Sequence, residues 1–172
     1  SERDIKLNLS AEGASEVFIS GDLTRTESSF RWMPFSKTVK VTLLEGDGSK
    51  DIKVKFRDDV GNEAEEVKLS VQLDTTPPLI SSARSLDAVD PIDRDNRYQI
   101  GTPVKIEAVS NEEGLKGKLS IRSESVSYEL SNQPLREEGG GVYSFYWETF
   151  DLRPAGDYVV TITLTDEAGN SS

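Results

Sequence analysis

The sequence predicts an all-β protein made of two antiparallel β-sandwiches in tandem, and three observations carry this prediction. Segments with apolar residues at every second position recur along the chain between Gly, Pro, Asn and Asp, which is the pattern of half-buried strands joined by turns. Residues 44–62 and 152–170 align without a gap, and each copy ends in Asp-x-x-Gly-Asn. A unit that recurs about one small domain apart indicates two copies of one fold. The run Asp74-Thr75-Thr76-Pro77-Pro78 lies between the copies.

The strands follow from the alternating segments, because many short strands with frequent turns favour antiparallel sheets packed face to face. Predicted strands lie at 5–9, 16–20, 30–32, 38–43, 50–57, 66–73, 79–84, 104–109, 118–123, 126–130, 142–147 and 157–165. The one helical segment predicted is a single turn at 111–115. The run Gly139-Gly140-Gly141 is predicted to be a hairpin turn, since a strand follows it and no helix N-terminus is available to bind a phosphate.

The Asp-x-x-Gly-Asn motif is predicted to be a tight turn in both copies. Gly and Asn tolerate the positive φ angles that such turns require, and an Asp side chain accepts hydrogen bonds from the backbone two residues on. The alternative is that the Asp58–Asn62 and Asp166–Asn170 turns, together with Asp74 at the linker, offer oxygen ligands to a cation. The structural interpretation is the stronger of the two.

The consecutive prolines Pro77 and Pro78 mark the predicted domain boundary, because they fix φ and remove two backbone donors, so that neither sheet continues through them. The predicted domains are 1–76 and 77–172. The first half has a further strand after its Asp-x-x-Gly-Asn turn, and the second half has a further strand directly after the prolines. The first domain is therefore expected to lack its first strand, and the second domain its last.

The composition excludes several classes of function. The chain of 172 residues has no Cys and no His, which excludes disulfides, thiolate or imidazole metal sites and His-dependent catalysis. A net charge of −11 argues against nucleic acid and anionic membranes as partners, and no apolar run approaches the length of a transmembrane helix. No pair among the 31 acidic residues is distinguished as catalytic, so we predict no catalytic residues and no enzymatic activity.

A family resemblance rests on the alternating strand, the Asp-x-x-Gly-Asn turn, a last strand and then the run 73–78. This arrangement resembles the tandem bacterial immunoglobulin-like (fibronectin III-like) repeats of secreted and cell-surface proteins. Residues 46–50 and 156–158 resemble that family's turn into its penultimate strand, and the resemblance is clearest in the C-terminal third of each half. It implies immunoglobulin-like sandwiches and an extracellular or cell-surface location. The leading hypothesis for function is a spacer or adhesion segment of a larger protein, because sandwiches joined by stiff linkers project what lies at their tip; its partners are the neighbouring domains of the same polypeptide.

An acidic segment at 87–96 is the candidate cofactor site. Asp90, Asp93 and Asp95 alternate along it, and alternate acidic positions on a loop can converge several oxygens on Ca²⁺. The spacing is not that of an EF-hand, and Arg94 and Arg97 are alternative partners for the carboxylates. A solvated loop with local Asx turns is the favoured interpretation, with calcium as the only cofactor candidate.

The densest aromatic patch comprises Tyr143, Phe145, Tyr146, Trp147 and Phe150. Exposed aromatic rings in a row would stack on sugar rings, so the alternative function is a carbohydrate-binding accessory module of a secreted enzyme, with a glycan as partner. The alternation instead directs Tyr143, Phe145 and Trp147 to the core and leaves Tyr146, with Tyr128, outside. Trp32 and Phe30 are likewise predicted to be core anchors. A surface protein is the other candidate partner.

Overall fold

The computed structural model describes residues 3–88, 97–123, 125–149 and 155–172. These residues form antiparallel strands and no helix, which confirms the predicted all-β class. The strands are β1 Asp4–Asn8, β2 Glu16–Gly21, β3 Trp32–Pro34, β4 Thr38–Thr42, β5 Gly48–Arg57, β6 Val67–Leu73, β7 Ile80–Asp87, β8 Val104–Ser110, β9 Lys116–Ser123, β10 Tyr128–Pro134, β11 Arg136–Gly139, β12 Val142–Trp147 and β13 Val159–Thr165.

The chain divides into two compact units, Ser1–Thr75 (unit 1) and Thr76–Ser172 (unit 2). Unit 1 has a two-stranded sheet, β1-β4, and a four-stranded sheet of order β3-β2-β5-β6. Alternate residues of both sheets meet in one core, which therefore has the packing of a β-sandwich. Its buried members are Leu7, Val17, Ile19, Leu23, Val39, Val41, Leu43, Ile52, Val54 and Leu73.

Unit 2 has a four-stranded sheet of order β11-β12-β8-β7 and a three-stranded sheet of order β10-β9-β13. Val104 and Ile106 of β8 pack with Leu119 and Ile121 of β9 in one core, so the two sheets again face each other. Leu164 of β13 belongs to an adjoining cluster. Unit 2 is therefore also built as a sandwich of antiparallel sheets.

The strands β5 and β13, which carry the sequence repeat, have the same position in the two units. Each pairs with an inner strand of its sheet, β5 with β2 and β13 with β9. Each is followed by the Asp-x-x-Gly-Asn turn and then by an isolated bridge at matching positions, Arg57 with Glu63 and Thr165 with Ser171. The outer edge of β5 pairs with β6, whereas no strand within the described part of the chain pairs with the outer edge of β13.

Two local predictions were wrong and one is confirmed. The segment 111–115 forms no helix; the backbone N–H of Leu115 instead donates to the Tyr143 hydroxyl at 3.0 Å. The strand β11 was not predicted, because its sequence Arg-Glu-Glu-Gly has no apolar alternation and pairing with β12 alone defines it. The glycine run forms the hairpin turn between these strands, and Gly139, Gly140 and Gly141 all have positive φ.

Glycine is required at the end of β2 for a steric reason. Gly21 has φ of 113°, and a Cβ at this position would overlap the backbone carbonyl of Asp51 on the neighbouring β5. The backbones of β2 and β5 thus approach at a point where no side chain fits.

Candidate functional site

The two Asp-x-x-Gly-Asn turns have the same hydrogen bonds. In unit 1, Asp58 Oδ1 accepts from the backbone N–H of Asn62 at 2.8 Å and Oδ2 from the Asn62 side chain at 2.8 Å. In unit 2, Asp166 accepts from the backbone and side chain of Asn170 at the same distances. Gly61 and Gly169 have φ of 94° and 98°. The turn predicted from the motif is therefore confirmed, and both carboxylate oxygens are engaged inside it.

These hydrogen bonds hold each carboxylate in its charged form. The Asn62 side chain and backbone lower the pKa of Asp58, because donors to a carboxylate stabilise the anion. At Asp166, which is 7% exposed, burial opposes ionisation most strongly, yet the bonds from Asn170 and Gly169 together still lower the pKa. Both turns are thus stabilised by a charged carboxylate that accepts hydrogen bonds from the backbone.

The calcium candidates Asp90, Asp93 and Asp95 lie outside the described residues. The favoured solvated loop and the alternative calcium site therefore both stay predictions. Within the described ranges, no group of three or more Asp or Glu is close enough to hold a metal ion. No helix in those ranges is long and apolar enough to span a membrane.

The aromatic residues of β12 divide between the two faces of the strand largely as predicted. Tyr143 is fully buried and Trp147 is 8% exposed, while Phe145 is half-buried against the same core. Tyr146 points the other way, is 52% exposed and has the Lys105 ammonium 5.6 Å from its ring centroid. Phe150 lies outside the described residues. One exposed tyrosine in this strand does not make the row of coplanar rings that sugar stacking uses.

The prediction for Trp32 was wrong. Trp32 pairs with Phe18 across β2 and β3, at a ring-centroid distance of 5.6 Å, on the face opposite the buried Val17 and Ile19. The Arg57 guanidinium lies 4.4 Å from its ring centroid. Since three residues on β3 cannot show a clear alternation, no sequence pattern indicates that this Trp faces outward.

An opening with a volume of about 680 Å³ lies in unit 2 between β7 and β13. Its floor is formed by Val104 and Ile106 of β8, and Val160 and Ile162 of β13 line one side. The opening therefore reaches the apolar space between the two sheets.

Aromatic side chains form one end of this opening. The Trp147 and Tyr158 rings meet edge to face with centroids 5.0 Å apart, and the indole N–H of Trp147 donates to the Tyr128 hydroxyl at 3.2 Å. Tyr128 was expected outside, but it packs against the core. Tyr98 donates to Ser85 at 2.7 Å. Tyr158 meets Tyr128 and Trp147 edge to face, and the Tyr128 and Trp147 rings are tilted by 36°, so the rings do not form a coplanar row.

A ladder of charged residues crosses the outer face of the β11-β12-β8-β7 sheet and was missed by the sequence analysis. Glu107 contacts the Arg84 guanidinium at 2.6 Å and the Lys105 ammonium at 2.7 Å. Lys105 also contacts Glu138 at 2.8 Å. The hydrogen bond from Lys105 lowers the pKa of Glu107, and that of Glu138 is lowered in the same way. The ladder joins β7, β8 and β11. The spacing of Lys105 and Glu107 on β8 was the only sequence signal for it.

No protein-family model matches the chain, and no curated protein matches it with significant similarity.

Proposed function

We propose that this chain is a non-catalytic tandem module of immunoglobulin-like domains, which acts as a spacer or adhesion segment of a larger bacterial secreted or cell-surface protein. One observation carries the proposal: two units of the same chain contain a matching strand, the same turn after it and the same bridge after the turn. Arrays that project a binding partner are made by repeating one stable unit. Neighbouring domains of the same polypeptide are the expected contacts, and an extracellular or cell-surface location is part of the proposal.

The linker supplies the test of the spacer role. About five residues connect the predicted strands, and at about 3.1 Å per residue in polyproline geometry they span only about 15 Å. A spacer requires that such a linker limit bending. Small-angle scattering of the intact chain measures this bending. Replacing Pro77 and Pro78 together by Gly should broaden the distribution of interatomic distances and leave the melting temperatures unchanged.

The matched control replaces Thr75 and Thr76 by Ser, which alters the same segment without releasing the fixed φ angles of proline. An unchanged distribution of interatomic distances in the Gly variant would contradict the spacer role. An equal change in the Ser control would show that proline stiffness is not the cause.

Carbohydrate binding is the second candidate, favoured by the opening beside Tyr98, Trp147 and Tyr158. If unit 2 binds a glycan there, titration with soluble oligosaccharides should change the fluorescence of Trp147 and leave that of Trp32 in unit 1 unchanged. Tyr158→Ala should abolish the change, and Tyr146→Ala, which lies on the opposite face of β12, should not. We expect no saturable change, since the rings contact each other edge-on.

A further inference from the structure

The outer face of the four-stranded sheet in unit 1 is basic, although the whole chain has a net charge of −11. Lys53, Lys55 and Arg57 alternate with the inward-facing apolar residues of β5, so their side chains lie on the face away from the core. Lys68 of β6 lies directly opposite Lys53. We call the surface formed by these four residues the basic face.

Two cations of the basic face, Lys53 and Lys68, have no acidic partner. The other two form ion pairs of 2.5 and 3.5 Å with acids of the same unit, and Asp51 on the same face accepts a hydrogen bond from Ser70. Within the described part of the chain, no ion pair involves Lys53 or Lys68. Because like charges directly opposite on neighbouring strands repel each other, an anion bound between them would be stabilised.

The sequence repeat shows that the fold does not require these cations. The inward positions of β5 and β13 are apolar in both copies. At the outward positions, the three cations of β5 correspond to Thr161, Thr163 and Thr165 of β13. The same strand of the same fold is therefore neutral on its outer side in unit 2, and the charge is particular to unit 1.

Two aromatic side chains lie beside the cations on the same face. Phe18 of β2 is directly opposite Lys55, and Trp32 of β3 is directly opposite Phe18. Both rings are partly exposed, and the Arg57 guanidinium lies near the Trp32 ring. The face thus presents apolar ring surface next to charged donors, and such donors form strong hydrogen bonds with carboxylates.

The outward position of Trp32 depends on an unfavourable backbone conformation. Residues two apart in a regular strand share a face, yet Phe30 packs against the core and Trp32 faces outward. The alternation is broken at Phe30, which has φ of 59°, a left-handed conformation that is unfavourable for a residue with a Cβ. Residues held in this way cluster at ligand-binding sites. The conformation of Phe30 therefore supports a binding role for the outward ring.

We propose that the basic face binds an anionic polysaccharide, with Lys53 and Lys68 contacting its carboxylates and Phe18 and Trp32 contacting its sugar rings. This site specifies the partner in the proposed adhesion role and rests on that role. Nucleic acid fits less well, because DNA has one negative charge per about 1.7 Å of its axis and a chain of net charge −11 would repel it. An acidic peptide has the carboxylates, but its Asp and Glu side chains offer no ring to the aromatic residues.

The test titrates the intact chain with oligogalacturonate, which has one carboxylate on each sugar. Because each unit contains one Trp, Trp147→Phe leaves Trp32 as the reporter of the basic face. We expect a saturable change in Trp32 fluorescence that weakens as salt is added, since salt screens exposed charges. The fluorescence of Trp147, followed in Trp32→Phe, should not change. The methyl ester of the same oligomer has the rings without the charge, and it should bind more weakly.

A matched pair of double variants locates the site. Lys53→Gln with Lys68→Gln should weaken binding by about threefold to tenfold, the effect of losing two exposed ion pairs. The control is Lys6→Gln with Lys40→Gln, which removes another directly opposed pair of lysines from the two-stranded sheet of the same unit. The strands of that sheet contain no aromatic residue, so binding should be unchanged. Melting temperatures of both double variants show whether unit 1 remains folded.

Each other outcome would overturn the proposal. These are no saturable change in Trp32 fluorescence, equal binding of the methyl ester, equal affinities of the two double variants, and binding of polyglutamate or oligothymidylate as tight as that of oligogalacturonate. The last outcome would identify an acidic protein segment or a nucleic acid as the occupant. Small-angle scattering of the linker variants tests the spacer role separately, so a failure of the polysaccharide site is distinguishable from a failure of that role.

Discussion

The strands β5 and β13 have the same alternation and the same turn after them, but different neighbours. β5 lies between β2 and β6, and its inward Ile52 is fully buried; β13 pairs only with β9 among the described strands, and its inward Val160 is 36% exposed. The alternation determines which face of a strand is apolar. The number of neighbouring strands determines how much of that face is removed from water. Two strands with the same sequence pattern can therefore contribute differently to the stability of their units.

The largest expected effect tests this difference directly. Ile52→Ala should lower the free energy of unfolding of unit 1 by about 2–5 kcal/mol, because it leaves a cavity in a closed core. Val160→Ala should lower that of unit 2 by less than about 1 kcal/mol, since the side chain is already partly hydrated. Urea unfolding measures both, with Trp32 as reporter in Trp147→Phe and Trp147 as reporter in Trp32→Phe. Equal losses would contradict the comparison.

The next test concerns the four-stranded sheet of unit 2, in which β8 has a neighbouring strand on each side. Glu107 is buried between Arg84 and Lys105, and Glu107→Gln removes the charge that both cations face. We expect unit 2 to lose about 1–3 kcal/mol, the cost of leaving a charged partner incompletely satisfied. Lys6→Gln on the edge strand β1 is the control, and its loss should be within about 0.5 kcal/mol.

The same substitution should cost the same stability in both turns. The difference in stability between the units would then come from the strands. Gly61 and Gly169 have nearly the same positive φ, and a Cβ would meet open space in both. Gly61→Ala and Gly169→Ala should therefore each cost about 1–2 kcal/mol, the penalty of the left-handed conformation for a residue with a Cβ. Thermal unfolding of the two variants measures the losses. A clear inequality would show that the turns are energetically different despite their common geometry.

Acid should weaken both turns, and this is the smallest effect. Because hydrogen bonds lower the pKa of Asp58 and Asp166, their stabilisation is complete above the usual Asp value of about 4 and is lost as the pH falls through the lower folded-state values. Melting temperatures should therefore decline between about pH 5 and pH 2. Asp58→Asn should flatten that decline in unit 1 alone, and Asp166→Asn in unit 2 alone. An unchanged decline in both variants would assign it to other carboxylates.

The sequence predicted the all-β class and the two turns well, because both depend on local patterns. Alternation reveals apolar faces, and Asp, Gly and Asn at fixed places determine the turn. The same reasoning assigned Tyr143 and Trp147 to the core correctly. It failed for Trp32, whose strand is too short to show a face, and for β11, whose existence depends on pairing with β12 rather than on its own residues.

The features that define the candidate sites depend on contacts between residues that are far apart in the sequence. Glu107 meets Arg84 because β7 and β8 are adjacent, and the opening beside Val160 exists because two edge strands stand apart. Neither relation is encoded in a short stretch of chain. Sequence alone therefore identified the acidic and aromatic clusters by composition, and it missed the charged ladder and the opening in unit 2.

The close approach of β2 and β5 at Gly21 has an evolutionary consequence. Any substitution there adds a Cβ that overlaps the Asp51 carbonyl, and the backbone would have to separate two paired strands to admit it. Substitutions at neighbouring surface positions cost little stability, but every substitution of Gly21 is destabilising. Among descendants of this domain, Gly21 should therefore persist after most of the surrounding sequence has diverged.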